Sequence, residues 1–207
     1  MPVEVKICGL TNRDDVLAAL DAGADYVGFV LYLKSPRSIT PTALRRLLER
    51  VDRPLRAVGV FVNHTRAMVE QTMRDCGLFA AQLHGDETAD DFAGMPGRIW
   101  RTVKLTAAAA APDPAPWCAE RYVVDAAIPG RYGGTGQTTD WRAAAQFALK
   151  HRVLLAGGLT TKNVADAVRI VHPLGVDVSS GVELRPGIKN RAEVRAFVQA
   201  ARRAADR

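Results

Sequence analysis

Val5-Lys6-Ile7-Cys8-Gly9 opens the chain with a short apolar run that stops on a thiol and a glycine, just before a turn at Thr11-Asn12. Later runs stop in the same way, on Asp125, on Gly157-Gly158 and on Ser179-Ser180-Gly181. Working outward from the first run gives eight strand candidates, at residues 3–8, 26–31, 56–62, 79–83, 98–104, 122–125, 153–156 and 176–179. Several are nearly continuous in β-branched or large apolar residues, as strands covered on both faces should be.

Amphipathic segments separate the runs. Residues 13–22 place Val16, Leu17 and Leu20 on one face, with Gly23 beyond the end. Thr40-Pro41 supplies an N-cap and a first-turn proline to a second helix with Leu44, Leu47, Leu48 and Val51 on its apolar face. Further helices are expected over 65–76, 88–93, 140–149, 161–171 and 191–204, with Asp140 and Thr161 as N-caps. In residues 106–117 five alanines run into Pro112, Pro114 and Pro116, a spacing that cannot continue an α-helix, so a short helix or an extended loop is expected there.

Strand–helix alternation on this scale predicts an α/β fold, a single (β/α)8 TIM barrel over residues 1–207 whose connection between strands 5 and 6 is irregular and Ala/Pro-rich. An open doubly wound sheet is the alternative. The barrel is favoured because glycine-rich signals follow late strands, including the seventh and eighth, rather than the first.

With 207 residues, 48% hydrophobic and 24% charged, the chain has the makings of one globular domain rather than a disordered tail. No apolar stretch approaches the ~20 residues of a membrane span, and the start lacks the pattern of a signal peptide, so no membrane role and a cytoplasmic location are expected. Three cysteines without a C-x-x-C pair argue against a disulfide framework and a thiolate zinc site, and the four histidines lack ligand spacing. No metal and no cofactor are expected. Cys76 and Cys118 read as small buried hydrophobes. The net charge of +6 suits an anionic ligand. Its Arg and Lys residues are scattered over helix faces without interleaved aromatics, which speaks against nucleic acid.

Glycine clusters let backbone N–H groups close around an anion. Three border one corner of the expected barrel mouth, giving Gly134, Thr135, Gly136, Gly157, Gly158, Ser180 and Gly181 as phosphate-binding candidates. Asp125 ends its strand with a carboxylate aimed at the mouth, and Cys8 stands at the mouth by position. Arg37, held after Pro36 on the loop following strand 2, offers a planar fork suited to a carboxylate. Gln82 and His84 end strand 4 as further substrate-binding candidates, and strand parity does not choose between them.

Lys6-Ile7-Cys8-Gly9, Ser35-Pro36-Arg37, residues 59–63, Gln82-Leu83-His84-Gly85, Gly133-Gly134-Thr135-Gly136, Gly157-Gly158-Leu159, Asn163-Val164 and residues 177–183 occur in order. Together, from residue 5 to about 198, they resemble the phosphoribosylanthranilate isomerase family of tryptophan biosynthesis. The resemblance implies a (β/α)8 barrel catalysing the Amadori rearrangement of N-(5-phosphoribosyl)anthranilate to 1-(2-carboxyphenylamino)-1-deoxyribulose 5-phosphate, without cofactor or metal. It implies Cys8 as general base, Asp125 as general acid and Arg37 as the ligand of the anthranilate carboxylate. Those roles ask for a carboxylic acid of raised pKa and a thiol of lowered pKa, with Lys6 a candidate influence on the thiol. The chain departs from the family at Thr139, where Phe is usual, and at Asn190, where Asp is frequent.

A related isomerase acting on an aminoimidazole carboxamide ribotide would use a carboxylate in place of Cys8. A non-catalytic anion-binding module would not need Cys8 and Asp125 on opposite sides of the mouth. The partner expected is a small-molecule substrate, and both monomer and homodimer stay open.

Overall fold

In this computed structural model residues 2–105, 109–126 and 139–205 are described. The strands are β1 (Glu4–Ile7), β2 (Tyr26–Val30), β3 (Ala57–Phe61), β4 (Ala80–Leu83), β5 (Arg98–Leu105), β6 (Arg121–Asp125), β7 (Val153–Leu155) and β8 (Gly175–Val178). They pair in parallel in the order β4-β3-β2-β1-β8-β7-β6-β5, and β4 pairs with β5 to close the barrel. The expected closed barrel is the observed fold, and the open sheet is not.

Strand parity divides the apolar residues. Val5, Ile7, Val27, Phe29 and their equivalents face the helices, whereas Tyr26, Val58, Ala80, Trp100, Val123, Leu154 and Ala156 fill the barrel interior. On that parity Lys6 of β1 and Cys8, just past its end, also face inward. The floor is closed by Arg121, whose Nη1 lies 2.7 Å from Glu4 Oε2 and whose guanidinium lies 5.5 Å from the Tyr26 and Trp100 rings.

The helices are α1 (Arg13–Asp21), α2 (Pro41–Leu48), α3 (Arg66–Cys76), α4 (Trp141–Ala148), α5 (Val164–Val171) and α6 (Arg191–Ala205). Thr40 and Asp140 cap α2 and α4 through their side chains as expected. Three expectations fail locally. Residues 88–93 form only a 3-10 turn, Asp90–Phe92, because Gly94 at φ 66° ends the segment after one turn. Helix α5 starts after Asn163, and Thr161 instead donates its hydroxyl to Glu193. Cys118 is exposed, although Cys76 is buried as expected.

Between β5 and β6, Ala110–Ala111 pairs antiparallel with the end of β5. The proline-bearing stretch that follows is pinned by the Tyr122 hydroxyl, which lies 3.0 Å from the Pro114 carbonyl and 3.1 Å from that of Trp117. Trp117 is buried against the Arg101 guanidinium, 4.7 Å away. Prolines deny this segment a helix, and a buried indole anchors it.

Candidate active site

Cys8 follows β1 directly, on the inward parity of Lys6. Both crowd against Gly28 of β2: a Cβ there would stand 2.7 Å from Cys8 Sγ and 3.0 Å from Lys6 Cε. Parallel pairing sets Lys6 beside Asp177 of β8, and Lys6 Nζ meets Asp177 Oδ2 at 2.8 Å, with no exposed side-chain surface on the lysine. Burial opposes the Lys6 charge, but Asp177 and Cys8 outweigh it, so the ammonium is held charged beyond its usual range. For Cys8 the balance tips the other way. Burial pushes the thiol pKa up, and Lys6 only partly offsets it. The lowered thiol pKa that the base role asks for is therefore not the resting condition: Lys6 acts in that direction, but burial is the larger effect.

Arg37 bends back over the same side. Its Nη2 and Nε donate to Glu183 at 2.7 and 2.9 Å, so one edge of the guanidinium is engaged and the Nη1 edge makes no hydrogen bond among the described residues. Glu183 also takes Lys189 Nζ at 2.9 Å, and burial, which would raise its pKa, is outweighed by Arg37 and Lys189. Glu183–Arg185 and Ile188–Lys189 pair antiparallel as a hairpin after β8, and the Lys189 backbone N–H donates to Asp15 at the start of α1, which fixes this hairpin at the mouth. Gly9, at φ 75°, leaves room for Arg37 Cδ, which would lie 2.7 Å from an added Cβ.

Across the mouth Asp125 ends β6. Its Oδ1 accepts the Ala126 N–H at 2.8 Å, and its Oδ2 lies 3.5 Å from His84 Nε2, which has no hydrogen-bond partner among the described residues. Burial acts to raise the carboxyl pKa, yet His84 and the Ala126 N–H win and hold it below the usual carboxylate range. The raised pKa that the acid role asks for is likewise not the resting condition.

Arg101 and Glu87 hold the His84 segment. Arg101 donates to the Leu83 and Gly85 carbonyls, each at 2.7 Å, and to Glu87 at 3.0 Å, while Glu87 accepts the N–H groups of Asn63 and Gly85. Gln82, two residues before His84 and on the same inward parity, donates to Thr102 at 3.0 Å.

Gly157 and Gly158 leave β7 at φ 82° and 61°, and Ser180 and Gly181 leave β8 beside them. An added Cβ on Gly181 would fall 1.9 Å from the Leu159 carbonyl oxygen, so the two turns touch. None of these four residues uses its N–H in a turn or cap bond among the described residues. Gly134, Thr135 and Gly136 lie outside the described residues. Thr139 is buried, donates to the Ala156 carbonyl at 2.9 Å and abuts Gly157, so this departure is part of the corner's packing. Asn190 caps α6 through its side chain.

Asp177, Lys189 and Glu183 were not singled out from sequence as site residues. Asp177 carried a signal, a charge inside the apolar run Val176-Asp177-Val178. Among the described residues no group of three or more His, Cys, Asp or Glu side chains is placed to hold a metal, and no helix is long and apolar enough to cross a membrane.

Residues 5–200 match the sequence profile of the family described as N-(5′-phosphoribosyl)anthranilate (PRA) isomerase. The chain is 42% identical to the N-(5′-phosphoribosyl)anthranilate isomerase of Pelobacter propionicus, over 97% of this chain and 96% of that one. It superposes on the phosphoribosyl anthranilate isomerase of Thermus thermophilus with a TM-score of 0.85 at 33% identity, covering 99% of this chain and 100% of that one. A further isomerase structure, in complex with reduced 1-(o-carboxyphenylamino)-1-deoxyribulose 5-phosphate, matches with a TM-score of 0.80 at 31% identity over 96% of this chain and 98% of that one.

Proposed function

The chain belongs to the N-(5′-phosphoribosyl)anthranilate isomerase family, and we propose that it works with Cys8 as general base and Asp125 as general acid. It is an isomerase of tryptophan biosynthesis, converting N-(5-phosphoribosyl)anthranilate to 1-(2-carboxyphenylamino)-1-deoxyribulose 5-phosphate. One observation carries the choice of these two groups as the proton-transferring pair: a thiol and a carboxyl, both buried, stand at the ends of β1 and β6 in one barrel mouth.

The chemistry runs in two proton transfers. Asp125, once protonated, gives its proton to the furanose oxygen and the ring opens to an iminium. That cation acidifies the sugar C2–H, the Cys8 thiolate takes the proton, and the resulting enolamine tautomerises to the ketose. The free edge of Arg37 suits the anthranilate carboxylate, with Glu183 holding the guanidinium in place. The Gly157-Gly158 and Ser180-Gly181 turns, together with Gly134, Thr135 and Gly136, suit the phosphate. His84 is close enough to Asp125 to touch substrate beside the acid, and Gln82 lines the layer below.

A second reading reverses the two roles, with the Asp125 carboxylate as base and the Cys8 thiol as acid. The resting protonation of both groups favours it. Free thiols and a place in amino-acid biosynthesis support a cytoplasmic enzyme, as monomer or homodimer.

The purified chain is expected to consume freshly made phosphoribosylanthranilate without added metal, seen as loss of the anthranilate-type fluorescence. Absence of turnover by well-folded protein would overturn the isomerase reading.

A further inference from the structure

We infer that Lys6 is the positioning residue that governs ionisation of Cys8, with Asp177 its opponent for the same ammonium. The geometry points there in three ways. Lys6 and Cys8 share one face of β1, and the missing side chain of Gly28 gives the thiol and the lysine stem a common space. The ammonium is fully buried and bound to one carboxylate oxygen only, Asp177 Oδ2 at 2.8 Å. The other oxygen, Oδ1, is buried with no hydrogen-bond partner among the described residues. A buried carboxylate left half satisfied is a costly arrangement in a barrel interior, and it leaves Asp177 ready to accept a hydroxyl.

A substrate hydroxyl that engages Oδ1 draws the carboxylate toward itself and loosens its hold on Lys6. The ammonium, already beside the sulfur, then acts on it with less opposition from Asp177; the thiol proton leaves to solvent, and the thiolate forms beside a charge that favours it. The charged groups that face Cys8 are Lys6 on β1, Asp177 on β8 and Lys189 on the hairpin after β8. Lys189 is already engaged by Glu183, which Arg37 also grips, so it is tied down on its own side. Lys6 is the cation whose partner is exchangeable.

The proposal rests on Cys8 as the proton-abstracting group only for its kinetic readout. The test titrates the ultraviolet absorbance of the thiolate, with Cys8→Ser protein of the same background as blank. Lys6→Gln is expected to move the Cys8 titration up by about one pH unit, a roughly tenfold loss of thiolate at a given pH. Asp177→Asn is expected to move it down by a similar amount. If Lys6→Gln strands the Asp177 charge and fails to fold, the double variant Lys6→Gln/Asp177→Asn removes both charges and should still titrate above wild type. Shifts of opposite sign support the assignment, because a merely structural disturbance gives no reason for opposite signs. No shift, or the same shift in both single variants, overturns it. The basic limb of kcat/KM should follow the absorbance. A limb that stays while the absorbance moves leaves the Lys6 assignment standing and removes Cys8 from the proton-transfer steps.

Discussion

The β1–β8 side of the barrel mouth and the β4–β6 side both bury an ionisable group, but they treat its charge differently. Around Cys8 the charges are paired among themselves, Lys6 with Asp177 and Lys189 with Glu183; Lys6 and Lys189 still favour the thiolate, Asp177 opposes them, and burial outweighs the balance. Around Asp125 a histidine ring and a backbone N–H address the carboxyl directly, and they outweigh burial. One side therefore rests with its proton on and the other with its proton off. With Cys8 as base and Asp125 as acid, the reacting combination is the minority form, thiolate with carboxylic acid. Each group has a neighbour that favours its charged form, and the two sides differ in whether that neighbour outweighs burial.

The comparison breaks most sharply at its two end members. Cys8→Ser and Asp125→Asn should each lower kcat by ~10²–10⁴-fold while phosphate-ester binding stays measurable. Near-wild-type turnover in either variant would strike that residue from the mechanism. Deuterium at the sugar C2 then separates the roles in the residual activity. Losing the base makes C2–H cleavage limiting, so Cys8→Ser should show the larger isotope effect; losing the acid makes ring opening limiting, so Asp125→Asn should show the smaller. The opposite order would establish the reversed reading.

The next largest effect concerns the scaffold of the acid side. Arg101 and Glu87 form an ion pair with 1% and 2% of their side-chain surface exposed. Arg101→Met leaves the Glu87 charge buried without its partner and releases two carbonyls of the His84 segment. A loss of about 3–5 kcal/mol is expected, read from the denaturant midpoint. The thiol titration on the far side should not move. A small midpoint change would mean that Glu87 finds water or another donor.

These differences define what the chain reveals before it is folded. The strands were legible because apolar runs such as Tyr26–Val30 and Ala57–Phe61 need no partner to be recognised. Helix ends were legible where a capping side chain stood at the start, as at Thr40, but not at Thr161, whose hydroxyl a residue on α6 captures. The pairing of Lys6 with Asp177 joins residues 171 positions apart, and only the β1–β8 register brings them side by side. Protonation was the least legible property. The assigned roles ask for a lowered pKa at Cys8 and a raised one at Asp125, whereas the opposite directions follow from burial of the thiol and from His84 and the Ala126 N–H beside the carboxyl, which the sequence does not place.

Arg37 tests the base side at its rim. Arg37→Ala should weaken analogues that carry the anthranilate carboxylate by about 10–100-fold, the worth of one charged hydrogen-bonded contact of ~1.5–3 kcal/mol. Glu183 keeps Lys189 as its partner, so the fold should tolerate the change. Equal affinity for analogues with and without the carboxylate, in both wild type and variant, would refute the contact.

The smallest and most discriminating change lies opposite. His84→Ala removes a group that holds Asp125 ionised, while burial and the Ala126 N–H remain. Burial then counts for more, and the Asp125 pKa rises. When the base titrates above the acid, kcat/KM is level between the two pKa values, because each pH unit gains thiolate as fast as it loses carboxylic acid. Below the Asp125 pKa the acid is fully protonated and the rate falls with the thiolate; above the Cys8 pKa it falls with the acid. The acidic limb should thus move to higher pH in His84→Ala and the basic limb should stay, the reverse of the pattern expected for Lys6→Gln. The phosphate of the substrate ionises alike in every variant, so the shift is read by difference. An acidic limb that does not move would mean that His84 does not act on Asp125, and that the Ala126 N–H and the Lys104 charge account for its acidity.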